Sequence, residues 1–445
     1  MDMESDMGVR LEKPDNLIWV EQVIMNNLET SYDPTMEVES SSSGPDNPLR
    51  EQHDLKLMIA EIEMRDESYF GDDRISTLSR LVTSRIKYLV EGEDEERNHF
   101  WIIKIPSILP QERELARIFD VYKREICFYT EILPAMKMWV ESQYIDNLIE
   151  FQVPCCYYGK FLRPNDKEPD MELLDHILEA ESLLVLEDLR AVQYGKRHFG
   201  KGMEVSEVFA AVNEICKFHA VSYAMQSKSK EPLHWKELHF SHDFAIFYDA
   251  LFHKGFEVFK NFLSNRPDER RAEEILKAMN HLNNNALHVF KGLVRPTSEF
   301  PTTLVHMDLW SDNLLFRVKE EDAEMPLEEA DLDCTIIDWQ MVSVGRPTHD
   351  IALLTILSMD SDLRRDILHL VLEYYHQLFE RTMGWFDLEM PFTYDQLILE
   401  FSNSCLLAVM MATCSMDLVL MDENAQTRLL DAIRDLLDDK ILVAE

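Results

Sequence analysis

Glycine is scarce in this chain. It occurs 12 times in 445 residues, where an average usage of roughly 7% would supply about 31. So few glycines disfavour a turn-rich all-β architecture, and any loop that cradles a phosphate must be glycine-poor. Positive charge is also short: 44 Lys and Arg stand against 83 Asp and Glu, a net charge of −39. Such a field repels polyanions, which argues against nucleic acid and acidic membranes as partners. ATP is an anion too, so a site for it would need local Lys and a divalent cation. The seven cysteines, at 127, 155, 156, 216, 334, 405 and 414, form no C-x-x-C pair and no zinc-type spacing. The N-terminal MDMESDMGVR has no apolar stretch of the secretory kind. Both features point to reduced thiols and a cytoplasmic location. The longest apolar run, Cys405–Met421, is interrupted by Asp417 and reads as a buried helix rather than a membrane span. No internal repeat is apparent, and nothing indicates an obligate protein partner.

What is present suffices for sizeable cores: 46% of residues are hydrophobic and 10% aromatic, and the length suggests two lobes. Residues 1–54 read as a short amphipathic helix (14–30) followed by a mobile Ser/Pro-rich loop. From 55 to 187 the pattern becomes strand-like. LKLMIAEIEM, STLSRLVTSRIKYLV and NHFWIIKIP carry alternating or continuous apolar runs, with charged EGEDEERN as a hairpin loop between the last two. A single helix is expected over Gln111–Leu133, stopped by Pro134. Further strands are expected at Cys155–Tyr158 and Ser182–Leu186. From 188 to 445 the chain reads as helical, with Val208, Val212, Ile215 and His219 on one helix face and Ile367, Val371, Tyr374 and Leu378 on another. The exception is 302–340, where TTLVHM, NLLFRV and CTIIDW read as strands. The expected fold class is therefore α+β: a two-lobed, protein-kinase-like plan, with a β-rich N-terminal lobe (55–187) and a mainly helical C-terminal lobe (188–445).

Phosphoryl transfer asks a protein for positioning and charge neutralisation. It needs a carboxylate for the attacking hydroxyl, oxygen ligands for Mg²⁺ and a cation on the nonreacting phosphates. The segment His306-Met307-Asp308-Leu309-Trp310-Ser311-Asp312-Asn313 supplies an Asp and, five residues later, an Asn. The next apolar strand ends in Ile336-Ile337-Asp338-Trp339-Gln340. Asp308 is the candidate base or hydroxyl-orienting group, and Asn313 and Asp338 are the candidate Mg²⁺ ligands. Taken singly, each could simply cap a turn. Taken together, the Asp-x-Trp-x-x-Asn spacing and the Asp at the strand end are specific. His219, on an apolar helix face, reads as a core histidine. His306 reads as a support for the catalytic turn, and Asp350 as a helix cap or a brace for that turn.

L-V-H-M-D-L-W-S-D-N-L-L-F followed by I-I-D-W-Q resembles the ecdysteroid kinase-like family, related to choline kinases and aminoglycoside phosphotransferases. The likeness extends to W-I-I-K-I-P, E-I-C-F-Y-T-E-I-L-P, L-V-L-E-D-L and C-K-F-H-A. It implies a kinase that moves the γ-phosphate of ATP, with Mg²⁺, to the hydroxyl of a lipophilic small molecule such as an ecdysteroid. It also implies that Lys104 meets the α/β-phosphates, that Glu125 orients Lys104, and that Glu187-Asp188-Leu189 is a hinge whose Glu187 and Leu189 meet adenine. Ser76, or its neighbour Thr77, in Gly71-Asp72-Asp73-Arg74-Ile75-Ser76-Thr77, would be a hydroxyl donor to phosphate.

Two departures motivate a second reading, a kinase-like protein that binds nucleotide or a small ligand without turnover. Met307 stands where the family has Gly, a substitution that is harmless if the local φ is negative. The phosphate loop after Gly71 carries two aspartates. A third reading groups His306, Asp308, Asp338 and His349 as a transition-metal hydrolase cluster.

Overall fold

Alternating and continuous apolar runs build the strands of the first unit. The structure is a computed structural model. It describes residues 19–25, 57–67, 69–70, 73–74, 78–92, 94–161, 180–196, 200–229, 233, 235, 238, 242–266, 269–319 and 331–443. The chain divides into two units, one formed by 1–117 and 154–192, the other by 118–153 and 193–445. Residues 118–153, placed by the sequence in the N-terminal lobe, thus group with the second unit.

In the first unit, β1 (Leu57–Asp66), β4 (Ser79–Val90), β5 (Arg97–Pro106), β6 (Cys156–Phe161) and β7 (Ser182–Glu187) form one antiparallel sheet. Its order is β1-β4-β5-β7-β6. Two-residue strands β2 (Tyr69–Phe70) and β3 (Asp73–Arg74) pair with each other. In β1, Ile62 and Met64 point inward while Glu61, Glu63 and Arg65 face water, the period of two that puts successive side chains on opposite faces. Val82, Ile86, Trp101, Ile103, Ile105 and Val185 are fully buried. Each such side chain contributes roughly 1.5–3 kcal/mol. Helical residues 19–25 (α1) add Val20, Val23 and Ile24 to the same core. The charged stretch 91–96 joins β4 to β5 as expected. The rest of the expected 14–30 helix, and the loop at 31–50, lie outside the described residues.

The single helix expected over Gln111–Leu133 is broken. The structure has α2 (Pro110–Ile118), α3 (Val121–Cys127), a π-helical turn (Phe128–Ile132) and α4 (Leu133–Ser142). Asp120 interrupts the run with a left-handed backbone, φ 51°. Pro134 does not stop a helix; it lies in the first turn of α4, where a missing N–H is tolerated. Just before it, the Leu133 N–H reaches the Phe128 carbonyl, so the i→i+5 register leads into the proline.

The second unit is mainly helical. It contains α5 (Val205–Lys228), α6 (His242–Ser264), α7 (Ala272–Asn284), α8 (Ala286–Val294), α9 (Thr348–Ser358), α10 (Ser361–Trp385), α11 (Tyr394–Cys414), α12 (Met416–Val419) and α13 (Glu423–Asp438). Its short strands are β8 (Gly195–Lys196), β9 (Thr303–Val305), β10 (Leu314–Val318), β11 (Leu332–Ile336) and β12 (Ser343–Gly345). β10 pairs with β11 and with β8, and β9 pairs with β12. α5 buries Val208, Val212, Ile215 and His219 and packs on β9, β11 and α10. On α10 the core face is rotated from the expected one, with Val371, Tyr375, Leu378 and Phe379 buried while Ile367 and Tyr374 are half-buried. Among the described residues one helix, α11, is long and apolar enough to cross a membrane. Its Leu407–Met410 stretch is fully buried in the protein.

Candidate active site

The two pairs, β9 with β12 and β10 with β11, place both sequence motifs in one unit. β9 delivers His306-Met307-Asp308, a 3₁₀ turn carries Ser311–Asn313 into β10, and β11 ends just before Ile337-Asp338. The Ile337 N–H donates to the Asn313 carbonyl at 3.0 Å, which ties the two motifs together.

The Asn313 amide Nδ2 donates to the Asp308 carbonyl oxygen at 2.8 Å and to its carboxylate Oδ2 at 3.1 Å. The Trp310 side chain hydrogen-bonds the same carboxylate. Because Asn313 uses Nδ2 for Asp308, its Oδ1 is the atom left for a hard cation. Asp338 sits past the strand end with φ 62°, a left-handed conformation that Asp tolerates better than most residues. Gln340 Nε2 donates to Asp338 Oδ2 at 3.1 Å. Burial pushes the Asp308 carboxyl up to about 7, and the charge of Asp338 pushes the same way against the Asn313 and Trp310 hydrogen bonds. Two acids that repel one another beside an amide oxygen are a donor set that suits Mg²⁺.

Behind the turn lies a buried support. Asp350, on α9, accepts the His306 N–H at 2.7 Å and the Met307 N–H at 2.8 Å. His219 Nε2 bonds the same carboxylate at 3.0 Å, while its Nδ1 meets the Tyr375 hydroxyl at 3.0 Å. Burial alone would raise the Asp350 carboxyl. The His219 bond, the nearby His306 and the His306 N–H outweigh it and hold the group below the usual range. The core-histidine reading of His219 holds. Asp350 makes no helix-cap bond and instead braces the turn that leads to Asp308.

His306 supports the turn from the other side. Its Nδ1 accepts the Asp308 N–H at 3.2 Å and its Nε2 faces the Ile337 carbonyl at 2.9 Å. That pattern places the ring proton on Nε2. The Trp339 indole donates to the Ile336 carbonyl at 3.1 Å and its ring stacks on Phe128, with centroids 3.9 Å apart. Buried Arg124 donates to the Val342 carbonyl at 2.8 Å. These last contacts are why α3 and its π turn belong to the second unit.

Met307 takes φ 65°, so the condition under which its replacement of Gly would be harmless is not met. The side chain is 1% exposed, and a Cβ added at Gly345 would lie 3.9 Å from its sulfur. Burial of the thioether against this glycine offsets the left-handed strain, and Asp308 keeps its bonds to Asn313. Ser76 and most of the Gly71 loop lie outside the described residues. Lys104 is half-buried on the face of β5 opposite Ile103 and Ile105. In the same unit the Glu187 N–H donates to the Cys155 carbonyl at 2.9 Å, its carboxylate accepts the Cys155 N–H at 3.2 Å, and Leu189 is buried. Glu125 is buried in the second unit. Among the described residues no group of three or more His, Cys, Asp and Glu side chains could hold a metal ion, which leaves the transition-metal reading without support.

Sequence reasoning passed over Tyr248, which feels the charge of Asp308, because an aromatic on a helix far from the motif carries no local signal. Trp310 was legible only as one letter of the Asp-x-Trp-x-x-Asn spacing.

A family model described as the ecdysteroid kinase-like family matches residues 76–385, more than half of the chain. No curated protein matches. Among solved structures, a choline kinase from Cryptosporidium parvum Iowa II is 13% identical with a TM-score of 0.38, over 86% of this chain and 92% of that one. A Plasmodium vivax ethanolamine kinase is 12% identical with a TM-score of 0.37, over 83% and 82%. The GDP complex of an aminoglycoside 2'-phosphotransferase variant is 10% identical with a TM-score of 0.35, over 86% and 93%.

Proposed function

This chain belongs to the ecdysteroid kinase-like family, and on that premise we propose that it is a cytoplasmic kinase that transfers the γ-phosphate of ATP to a hydroxyl of a lipophilic small molecule, an ecdysteroid or a related steroid-like alcohol. The observation that carries the reading is the Asp308–Asn313 contact, with Asp338 close enough to raise the Asp308 carboxyl. Asp308 accepts the hydrogen bond of the incoming hydroxyl, points its oxygen at the γ-phosphorus, and takes the proton as the new P–O bond forms, while the bond from the γ-phosphorus to the bridging oxygen breaks and ADP leaves. Asn313 and Trp310 hold the carboxylate in one orientation, so the acceptor oxygen is placed before reaction. Mg²⁺, held by Asn313 Oδ1 and the Asp338 carboxylate, would neutralise charge on the ATP phosphates. Lys104 is assigned the α/β-phosphates. Ser76 and the Glu187–Leu189 backbone are assigned the remaining phosphate and adenine contacts. Those assignments rest on the family's motifs.

The test is a phosphate mass increment on a panel of steroid, choline-like and xenobiotic alcohols incubated with ATP and Mg²⁺. A product that forms with the native chain and disappears in Asp308→Asn supports the proposal. Nucleotide binding without any phosphorylated alcohol would instead identify a binding protein.

A further inference from the structure

Helix α9 touches the candidate site near both of its ends. In its first turn Asp350 holds the backbone that leads into Asp308. At its last residue the Ser358 hydroxyl accepts the Ser311 N–H at 2.8 Å, and Ser311 opens the 3₁₀ turn that carries Asn313. The two grips are eight positions apart, about 12 Å of helix. Ser311 and Ser358 are both buried. The Ser311 hydroxyl has no hydrogen-bond partner among the described residues, so its N–H is what ties this residue to α9. The end of the helix is itself pinned. The Ser358 carbonyl, one of the acceptors that a last helical turn leaves open, takes the Met203 N–H at 2.8 Å. The chain beside that bond fits closely, since a Cβ added at Gly202 would lie 2.6 Å from the Asp360 carboxylate. Buried Arg428 donates to that carboxylate at 3.2 Å.

We propose that Ser358 is a positioning residue for Asn313, and that α9, gripping one turn through Asp350 and the other through Ser358, sets the spacing between the Asp308 carboxylate and the Asn313 amide. The inference rests on the kinase reading, in which Asn313 Oδ1 meets Mg²⁺. The 3₁₀ turn is three residues long, and the Asn313 N–H closes it on the Trp310 carbonyl at 2.9 Å. A shift at Ser311 therefore carries Asn313 with it. Mg²⁺ demands near-ideal octahedral geometry, so it tolerates little displacement of a ligand oxygen. Removing the Ser358 hydroxyl leaves a buried N–H without its acceptor, and the turn must move to find another.

The probes are Mg²⁺ and AMP-PNP, a non-hydrolysable ATP analogue. Calorimetric binding of AMP-PNP, with and without Mg²⁺, is read for the native chain, Ser358→Ala, Ser358→Thr and Thr355→Val. Ser358→Ala should raise the Mg²⁺ concentration for half-maximal binding about tenfold, as when a metal ligand loses an outer partner, with Mg²⁺-free binding held within about twofold. Ser358→Thr keeps the hydroxyl and should stay within about twofold of the native chain. Thr355→Val removes another buried hydroxyl bond of α9, to the Ile351 carbonyl, and should leave the Mg²⁺ dependence as it is. Equal Mg²⁺ dependence in the native chain and Ser358→Ala overturns the proposal. So does an equal loss of Mg²⁺-free binding in Ser358→Ala, or the same shift in Thr355→Val, since either marks a general loosening of the fold. A shift in Ser358→Thr as large as in Ser358→Ala also overturns it. If the native chain binds AMP-PNP equally with and without Mg²⁺, Asn313 is no Mg²⁺ ligand and the proposal falls. If binding depends on Mg²⁺ but no alcohol is phosphorylated, the kinase reading fails while the Ser358 comparison still decides the positioning role.

Discussion

The Asp350 carboxylate grips the backbone just before Asp308: one oxygen takes the His306 N–H at 2.7 Å and the other the Met307 N–H at 2.8 Å. The carboxylate is fully buried, and its third contact is His219. Asp350→Asn replaces an acceptor oxygen with an amide that can only donate toward an N–H. We expect a loss of about 3 kcal/mol, as for a buried charged group deprived of a partner, read by urea denaturation. Unchanged stability would show that the turn holds itself.

Met307 sets two effects against each other. A left-handed backbone costs a non-glycine residue roughly 1–2 kcal/mol, which Met307→Gly would relieve. Removing a buried Met side chain costs roughly 2–5 kcal/mol. The second effect is larger, so Met307→Gly should lower stability by about 1–3 kcal/mol while phosphoryl transfer is retained. A more stable glycine variant would show that the strain outweighs the packing.

Asp308→Asn should lower kcat by roughly 10²–10⁴ and leave MgATP binding nearly unchanged, as measured by nucleotide titration. The substitution keeps the shape of the side chain but removes the proton acceptor. Full turnover in this variant would displace Asp308 from its proposed role.

The Asp308 carboxyl at about 7 gives two pH signatures. Transfer needs the carboxylate, so kcat/KM should rise from pH 6 to pH 8, and Mg²⁺ beside Asp338 would move that limb to lower pH. For stability the sign is opposite. The group is raised from 3.8 on folding, so the fold gains most when it is protonated below about pH 4, and that gain fades as pH rises to 7. In metal-free protein, Asp308→Asn should remove this decline. An identical pH dependence of stability in both proteins would mean that Asp308 titrates normally.

Asp338 is best probed with Asn, which tolerates φ 62° as well as Asp does, so the substitution removes charge without straining the turn. Asp338→Asn should raise the KM for MgATP about tenfold or more and increase the Mg²⁺ concentration needed for half-maximal rate. Unchanged Mg²⁺ dependence would place the cation elsewhere.

Local pattern carried the strands of the first unit: β1, β4 and β5 alternate with the period of two that a half-buried strand requires. Close spacing also exposed the candidate catalytic residues, because Asp308 and Asn313 sit on one turn and Asp338 follows a β-strand. Residues joined only by packing left no such trace. The run after Gln111 has helical periodicity throughout, yet Asp120 and the π turn break it where Phe128 meets Trp339. Asp350 lies 44 positions from the amide of His306, and its role is visible only when α9 packs behind β9.

The sequence by itself determined which side chains could do phosphoryl chemistry, since the Asp-x-Trp-x-x-Asn run and the strand-end Asp fix residue type and short-range spacing. Only the tertiary structure decided how they are held. Burial and the charge of Asp338 raised the Asp308 carboxyl, whereas His219 and His306 lowered the Asp350 carboxyl against its burial, because the ionisation of a buried carboxyl depends on neighbours that folding brings together. The same packing gave Met307 a left-handed turn that its side chain stabilises, and it set Tyr248 in the field of Asp308.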